Sequence, residues 1–302
     1  MSGQLTREVA LAPFTSFQVG GPAEWFLQPD CDLTMTDTLA WVRQEGLPVT
    51  VLGLGTNMLI SDHGVRGLVL HLKTWRGVRV LEEGIIEVRA GEPIARLSLQ
   101  MARRGWAGLE WSIGVPGSVG GAVVMNAGAH GSQMADTLES VEVLTETGER
   151  RFLDAGELGL GYRSSALQNR GWVVLNARIR LLPGGDAGQL VEKIEGYSSH
   201  RRRTQPTGFP NCGSVFRNPT KQSNIELPSY AAGWLLEHCN LKGLRVGAAQ
   251  VAEQHANFIL NRGGATARDI LSLMRQMRDR VYQQWGVLLE PEVRILGEDS
   301  AC

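Results

Sequence analysis

Ser214 lies in Asn211-Cys212-Gly213-Ser214, after a proline-rich turn and before the apolar pair Val215-Phe216. The run lacks the G-x-S-x-G spacing of a nucleophile elbow, and no local histidine could act as its base, so it does not read as an acylating serine. A hydroxyl can still deliver one proton to a carbanion if water or a cation relays the proton or steadies the alkoxide. By residue type alone a loop serine is more often a turn-former, and Cys212 is a rival because a thiol is the more acidic group. Arg163 follows Tyr162 after the turn-prone run Glu157-Leu158-Gly159-Leu160-Gly161. Its planar guanidinium suits a carboxylate partner, although a surface ion pair would have the same signature. Glu290 and Glu292 stand two apart in an expected strand over Val287 to Leu296, so alternation places both on one face.

Two glycine-rich stretches could hold an anion near such groups. Residues 108–131 read GLEWSIGVPGSVGGAVVMNAGAHG, with Gly108, Gly114, Gly117, Gly120, Gly121, Gly128 and Gly131 around Pro116 and almost no charge. Glycine lets backbone N–H groups approach a ligand closely and adopt positive φ. Successive exposed N–H groups form a nest suited to a diphosphate; the plainer reading is a loop packed under a sheet. Upstream, Val51-Leu52-Gly53-Leu54-Gly55-Thr56-Asn57-Met58-Leu59-Ile60 is a strand, a tight turn and a short apolar run ending at Ser61-Asp62-His63-Gly64. A Rossmann fingerprint would open a long helix there, and this run is too short to do so.

In their order along the chain, these stretches resemble one known family. Phe14-Thr15-Ser16-Phe17 with Val19-Gly20-Gly21-Pro22-Ala23 is similar to its N-terminal signature. Gly53-Leu54-Gly55-Thr56-Asn57 and Ile113-Gly114-Val115-Pro116-Gly117-Ser118-Val119-Gly120-Gly121-Ala122 are similar to its two FAD loops. Tyr162-Arg163-Ser164-Ser165, Gly213-Ser214-Val215-Phe216-Arg217-Asn218-Pro219 and Glu290-Pro291-Glu292-Val293-Arg294 complete the set. From about Phe14 to Gly297 the chain resembles the UDP-N-acetylenolpyruvoylglucosamine reductases of bacterial peptidoglycan synthesis.

The resemblance implies FAD as bound cofactor, NADPH as reductant, and reduction of UDP-N-acetylglucosamine enolpyruvate to UDP-N-acetylmuramate. It makes Ser214 the proton donor to C2, because the Gly-Ser-x-Phe register favours it over Cys212. It joins Arg163 and Glu292 in steadying the enolate-like intermediate, with Glu290 the rival. For FAD it implies contacts from Gly53, Gly55, Thr56, Asn57, Met58, Gly114, Pro116, Gly117, Ser118, Gly120, Gly121, Ala122, Asn126 and Gly128. For the substrate it implies Tyr162, Arg201, Asn218 and His255, with Asn257 a further candidate. Arg202 or Arg203 would serve as well as Arg201 for the nucleotide diphosphate. Longer family members carry an extra segment with a tyrosine-bearing loop. At 302 residues this chain resembles the shorter subtype, and which residue clamps the diphosphate is then open. Two other classes fit the residues: another FAD-dependent oxidoreductase on the same scaffold, and a non-catalytic module binding FAD or a sugar nucleotide.

The elements that must position these groups are legible in outline. A chain of 302 residues with 43% hydrophobic content can bury a sizeable core in more than one domain. The net charge of -1 gives no case for nucleic acid as the main partner. Cys31, Cys212, Cys239 and Cys302 are widely spaced, which indicates neither a zinc site nor a disulfide framework and fits a reducing cytoplasm. No signal peptide is seen in Met1 to Ala10, and no run has the ~18 apolar residues of a membrane span. Short strands near 23–27, 48–53, 68–70, 78–80, 85–88, 141–143, 151–153 and 172–182, with helices near 32–45 and 93–104, imply an α+β fold. The resemblance implies a two-part FAD-binding domain like the vanillyl-alcohol oxidase scaffold, followed by a smaller α+β substrate-binding domain. The turn Leu182-Pro183-Gly184-Gly185-Asp186 sets the expected boundary, giving domains 1–185 (subdomains about 1–62 and 63–185) and 186–302. Helices follow before Arg201-Arg202-Arg203, over Ala231 to Cys239, and after the Thr266/Asp269 capping box, where Met274 and Met277 read as core.

Overall fold

Apolar residues recur on one face of Leu138–Leu144 and Val173–Arg180, and these two strands pair antiparallel at the heart of a five-stranded sheet. The computed structural model describes residues 3–168, 170–220 and 226–297; Cys302 lies outside them. The sheet order is Arg150–Asp154, Leu138–Leu144, Val173–Arg180, Ile85–Arg89 and Val78–Glu82, all antiparallel. A four-stranded sheet takes Thr6–Ala10, Pro22–Leu27, Val65–His71 and Val49–Leu52 in that order. Its last two strands are parallel, with Val49 opposite Leu68 and Leu52 opposite His71.

The chain divides into two units. The first takes the residues up to Glu8, then Glu24–Leu54 and Arg66–Arg201; the second takes Val9–Ala23, Gly55–Val65 and the chain from Arg202 onward. The Leu182 to Asp186 turn falls inside the first unit, where Leu182 and Gly185 N–H groups donate to the Ala107 and Gly105 carbonyls at 2.9 and 2.8 Å.

Helices α1 (Asp32–Gln44), α2 (Ile94–Ala102) and α3 (Val119–Val124) belong to the first unit, and α4 (Ala187–Thr204) begins in it. Gly46, at φ 64°, follows the end of α1, and Ile94, Leu97 and Met101 of α2 are buried at helical spacing. They join Leu70, Ile86, Val88, Trp111, Val141 and Leu175 in one apolar core.

The second unit has its own core, built on α5 (Ala232–Glu237) and α6 (Ala267–Trp285). Beside them lie a three-stranded sheet, Arg245–Val246, Ala249–Val251 and Ile259–Asn261, and the parallel pair Met58–Ile60 with Arg294–Leu296. Thr266 Oγ1 accepts from Asp269 N at 3.0 Å and Asp269 Oδ2 accepts from Thr266 N at 3.1 Å, the reciprocal cap expected from sequence. The Asp62 carboxylate accepts from Ala267 and Arg268 N–H as well, placing an anion at the positive end of the helix. Met274 and Met277 are buried in this core. The expected strand over 287–296 is regular only at Arg294–Leu296. Around Pro291 the chain makes a local pairing with Val215 to Arg217.

Candidate active site

In the first unit the two glycine stretches meet. A Cβ at Gly53 would stand 2.6 Å from Ser118 Oγ, so a side chain there would displace the Ser118 hydroxyl where the loops abut. Among the described residues, the N–H groups of Gly53, Leu54, Gly117 and Ser118 have no backbone acceptor. Gly117 takes φ 146°, outside the range of ordinary side chains. Four amides beside this contact, without backbone acceptors of their own, are of the kind that can donate to an anion such as a diphosphate. The downstream glycines behave differently. Val119 and Gly120 N–H donate to the Glu92 and Ala90 carbonyls at 2.9 and 2.8 Å, and Gly121 N–H to Ser118 Oγ at 3.3 Å. A Cβ on Gly120 would meet Ala90 Cβ at 2.8 Å, and Ala122 is buried. Gly120, Gly121 and Ala122, expected as amide donors to FAD, therefore have those amides engaged inside the protein. His71 supports the first loop. It is buried, its ring donates to the Gly53 carbonyl, and its Nδ1 lies 2.7 Å from Gln28 Nε2. Burial, helped by the charge of Lys73, lowers its pKa to about 4, so the ring is neutral.

Arg163 sits at the third position of a tight turn, Gly161 to Ser164, closed by paired backbone bonds of 3.1 and 3.2 Å. Its φ of 54° is left-handed, a conformation costing a non-glycine residue about 1–2 kcal/mol. The turn is fastened on several sides. Arg163 Nη2 donates to the Gly128 carbonyl at 2.8 Å, Gln168 Nε2 donates to the Arg163 carbonyl at 2.8 Å, and Ser165 Oγ donates to the Val124 carbonyl at 2.7 Å. Tyr162 is exposed, with the Arg163 guanidinium 5.2 Å from its ring centre. Asn126, expected among the cofactor contacts, is fully buried. Its Nδ2 donates to the Gly161 carbonyl at 2.9 Å and to Gln133 Oε1 at 3.0 Å, and its Oδ1 accepts from Ala135 N at 2.9 Å. Arg201, from α4, donates to the Gly114 carbonyl, and burial lowers its pKa. Next to it, His130 stacks on Tyr197 at 3.9 Å.

In the second unit, Ser214 is the end of a short extended segment held on both sides. On one side Glu292 N–H donates to the Val215 carbonyl at 2.8 Å and Arg217 N–H to the Glu290 carbonyl at 2.9 Å, flanking the Phe216–Pro291 pair. This is the non-hydrogen-bonded kind of antiparallel pair, so the missing N–H of Pro291 costs no ladder bond. On the other side Asn257 replaces a neighbouring strand: its Oδ1 accepts from Phe216 N at 3.0 Å and its Nδ2 donates to Phe216 O at 2.9 Å. Ser214 itself bridges to Phe258. Ser214 is half-buried, and its hydroxyl makes no hydrogen bond among the described residues. Glu292 is half-buried and Glu290 exposed. Cys212 is buried, and burial pushes its thiol pKa well up, with the charge of Glu292 adding to the shift. The same observation removes the acidity argument for Cys212 and puts Glu292 within electrostatic reach of the serine segment.

Other expected contacts have structural partners. The buried Asn257 has both amide atoms engaged on Phe216, so its side chain is not available to a substrate. Asn218 Oδ1 accepts from Ala232 N at 2.9 Å, at the start of α5. His255 packs against Gly233, where a Cβ would come within 2.7 Å, and burial lowers its pKa. Asn57 Nδ2 donates to the Glu292 carbonyl at 3.0 Å and its carbonyl accepts from Arg294 N at 3.0 Å, which holds Glu292 in register. Met58 opens the strand paired with Arg294–Leu296, and Gly55 is required because a Cβ would lie 1.9 Å from the Phe14 carbonyl oxygen. Sequence reasoning did not find His71, Gln28 and Gln168 as supports; His71 and Gln28 meet across 43 residues, which no local motif signals, and Gln168 lies just beyond the Tyr162 to Ser165 motif whose turn it holds.

Known proteins show the same two parts. Residues 23–154 match an FAD-binding domain family, and residues 205–296 match the C-terminal domain of UDP-N-acetylenolpyruvoylglucosamine reductase. The chain is 65% identical over 297 residues to the UDP-N-acetylenolpyruvoylglucosamine reductase of Gloeobacter violaceus, covering 98% of both chains. It is 49% identical to that of Synechococcus sp. strain JA-3-3Ab, over 98% of this chain and 93% of the relative. The crystal structure of the Thermus caldophilus enzyme superposes with a TM-score of 0.80 at 33% identity, covering 97% of this chain and 98% of that one. An oxidase acting on 6-hydroxy-D-nicotine, from Arthrobacter nicotinovorans, is similar in fold alone, with a TM-score of 0.61 at 11% identity over 96% of this chain and 87% of that one.

Proposed function

The chain belongs to the UDP-N-acetylenolpyruvoylglucosamine reductase family, and on that premise we propose how its own residues carry the reduction. It is an FAD-dependent oxidoreductase of peptidoglycan precursor synthesis, of the shorter type, on an FAD-binding scaffold of the vanillyl-alcohol oxidase kind. The finer reading takes NADPH as reductant, UDP-N-acetylglucosamine enolpyruvate as substrate and UDP-N-acetylmuramate as product. FAD, when bound, would supply the hydride chemistry between NADPH and C3 of the enolpyruvyl double bond. The amides of Gly53, Leu54, Gly117 and Ser118 would hold its diphosphate.

Hydride at C3 leaves negative charge at C2, spread into the adjacent carboxylate. Arg163 binds that carboxylate, because a fixed guanidinium stabilises charge most where it develops. Ser214 donates the proton to C2, which, with the hydride already at C3, turns the enolpyruvyl ether into a lactyl ether. Glu292 acts with Arg163 in steadying the same enolate. The cationic end of α4, Arg201 with Arg202 and Arg203, takes the nucleotide diphosphate, Arg201 sharing its guanidinium with Gly114; Tyr162, Asn218 and His255 border the substrate.

One observation carries the assignment of the donor. Among the described residues the Ser214 hydroxyl makes no hydrogen bond, it ends a segment clamped on both edges, and the neighbouring thiol is made less acidic by burial. The test is anaerobic. NADPH should bleach the flavin band of the purified protein, and the enolpyruvyl substrate should restore it. Ser214→Ala should bleach at the wild-type rate and recover about 100-fold more slowly or worse, the usual scale for a lost proton donor. Equal loss in both half-reactions would remove Ser214 from this role, and recovery with oxygen alone would indicate a different flavoenzyme.

A further inference from the structure

The geometry points to Asn126 as the positioning residue that sets the catalytic arginine, a reading that rests on the role assigned above to Arg163. Asn126 is fully buried, and its amide makes hydrogen bonds in three directions: to the Gly161 carbonyl, to Gln133 Oε1, and from Ala135 N. Gly161 opens the turn in which Arg163 is left-handed at φ 54°, and Asn126 is itself left-handed at φ 38°. Asparagine is one of the few residues that accepts this backbone and also offers two donors. The Arg163 guanidinium returns to the same loop through Gly128, two residues beyond Asn126. The turn is thus tied to residues 124–128 through its first carbonyl, its arginine head and, by way of Gln168, its third carbonyl.

Those residues follow directly on α3, whose first turn is anchored to Ala90 and Glu92 beside the amide cradle at Gly117 and Ser118. Asn126 therefore ties the orientation of the arginine to the loop that holds the cofactor. It touches neither substrate nor reacting atoms in this role. A left-handed arginine without that tie would relax toward an ordinary backbone and carry its guanidinium away from its aim.

The test is a double-mutant cycle on the two half-reactions, using the full-length flavoprotein. Asn126→Asp keeps the acceptor for Ala135 N and tolerates the left-handed backbone, but it cannot donate to Gly161. Asn126→Gly, equally suited to that backbone, replaces it if the aspartate variant does not fold. Either variant should keep its FAD and be reduced by NADPH within about twofold of wild type. Reoxidation by the enolpyruvyl substrate should slow by about tenfold to 100-fold, the scale of a misaimed catalytic group. In an Arg163→Lys background the same change should cost no more than about twofold, because both act through one group. Independent, multiplying effects, or lost flavin, or normal reoxidation would overturn the inference while Arg163→Lys remains slow by itself. If Arg163→Lys alone is as fast as wild type, the failure lies with the assignment of Arg163, and the positioning role falls with it.

Discussion

Replacing Asn257 by aspartate isolates one link in the serine clamp. Asn257 is 2% exposed and Phe216 1%, so water cannot take over a lost bond. Aspartate keeps the shape of the side chain and the acceptor for Phe216 N. When ionised, it turns a second acceptor toward the Phe216 carbonyl, where the amide donated at 2.9 Å. An orphaned buried carbonyl costs about 1–3 kcal/mol, and the unpaired buried charge brings the loss to about 2–5 kcal/mol. A protonated carboxyl can donate as the amide did. The folded state therefore binds that proton more tightly than the unfolded chain, in which an aspartate titrates near 3.9. The sign follows: relative to wild type, the variant is closest in stability below about pH 4 and falls away as pH rises through its raised folded pKa. Urea unfolding followed by fluorescence should show a midpoint lower by about 1–2 M at pH 7.5, for a slope of about 1–3 kcal/mol/M, with the gap closing toward pH 4. A midpoint difference independent of pH, or a loss under about 0.5 kcal/mol, the size of an ordinary surface change, would refute the clamp.

Cys212→Ala should leave turnover within about twofold, since burial makes the thiol a poor proton donor at neutral pH; a loss comparable to Ser214→Ala in the substrate half-reaction would transfer the donor role to sulfur. His71, neutral when folded with a pKa of about 4, binds fewer protons than the unfolded chain between about pH 6.5 and 4. Stability should fall across that window as pH drops, by up to about 3 kcal/mol, and His71→Gln should flatten the profile measured by thermal unfolding. Gly117→Val forces a side chain onto φ 146° and should weaken FAD retention in gel filtration by roughly tenfold or more, from about 1–3 kcal/mol of backbone strain; normal flavin content would move the cradle elsewhere.

Local physics made much of this protein legible in its sequence. Period-two and period-3.6 patterns located the strands around Val141 and Val173 and helices α1, α2 and α6, because each element buries the face that its own spacing creates. The Thr266/Asp269 cap involves residues three apart, so it could be read directly. The glycine stretches and the ordered motifs around Arg163, Ser214 and Glu292 likewise identified the family, because they are contiguous. Tertiary structure decided which member of each stretch does what. Among the described residues Gly117 and Ser118 have no backbone acceptor for their amides while Gly120 and Gly121 are engaged, because Ala90 and the Ser118 side chain supply acceptors for the latter pair. Asn57, Asn126 and Asn257 all looked like ligand contacts, being polar residues in site motifs. Folding brings a backbone group from a distant segment to each: Glu292 to Asn57, Gly161 to Asn126, and Phe216 to Asn257. A buried amide must satisfy its donors and acceptor somewhere, and only the path of the chain determines whether the partner is a ligand or the protein itself.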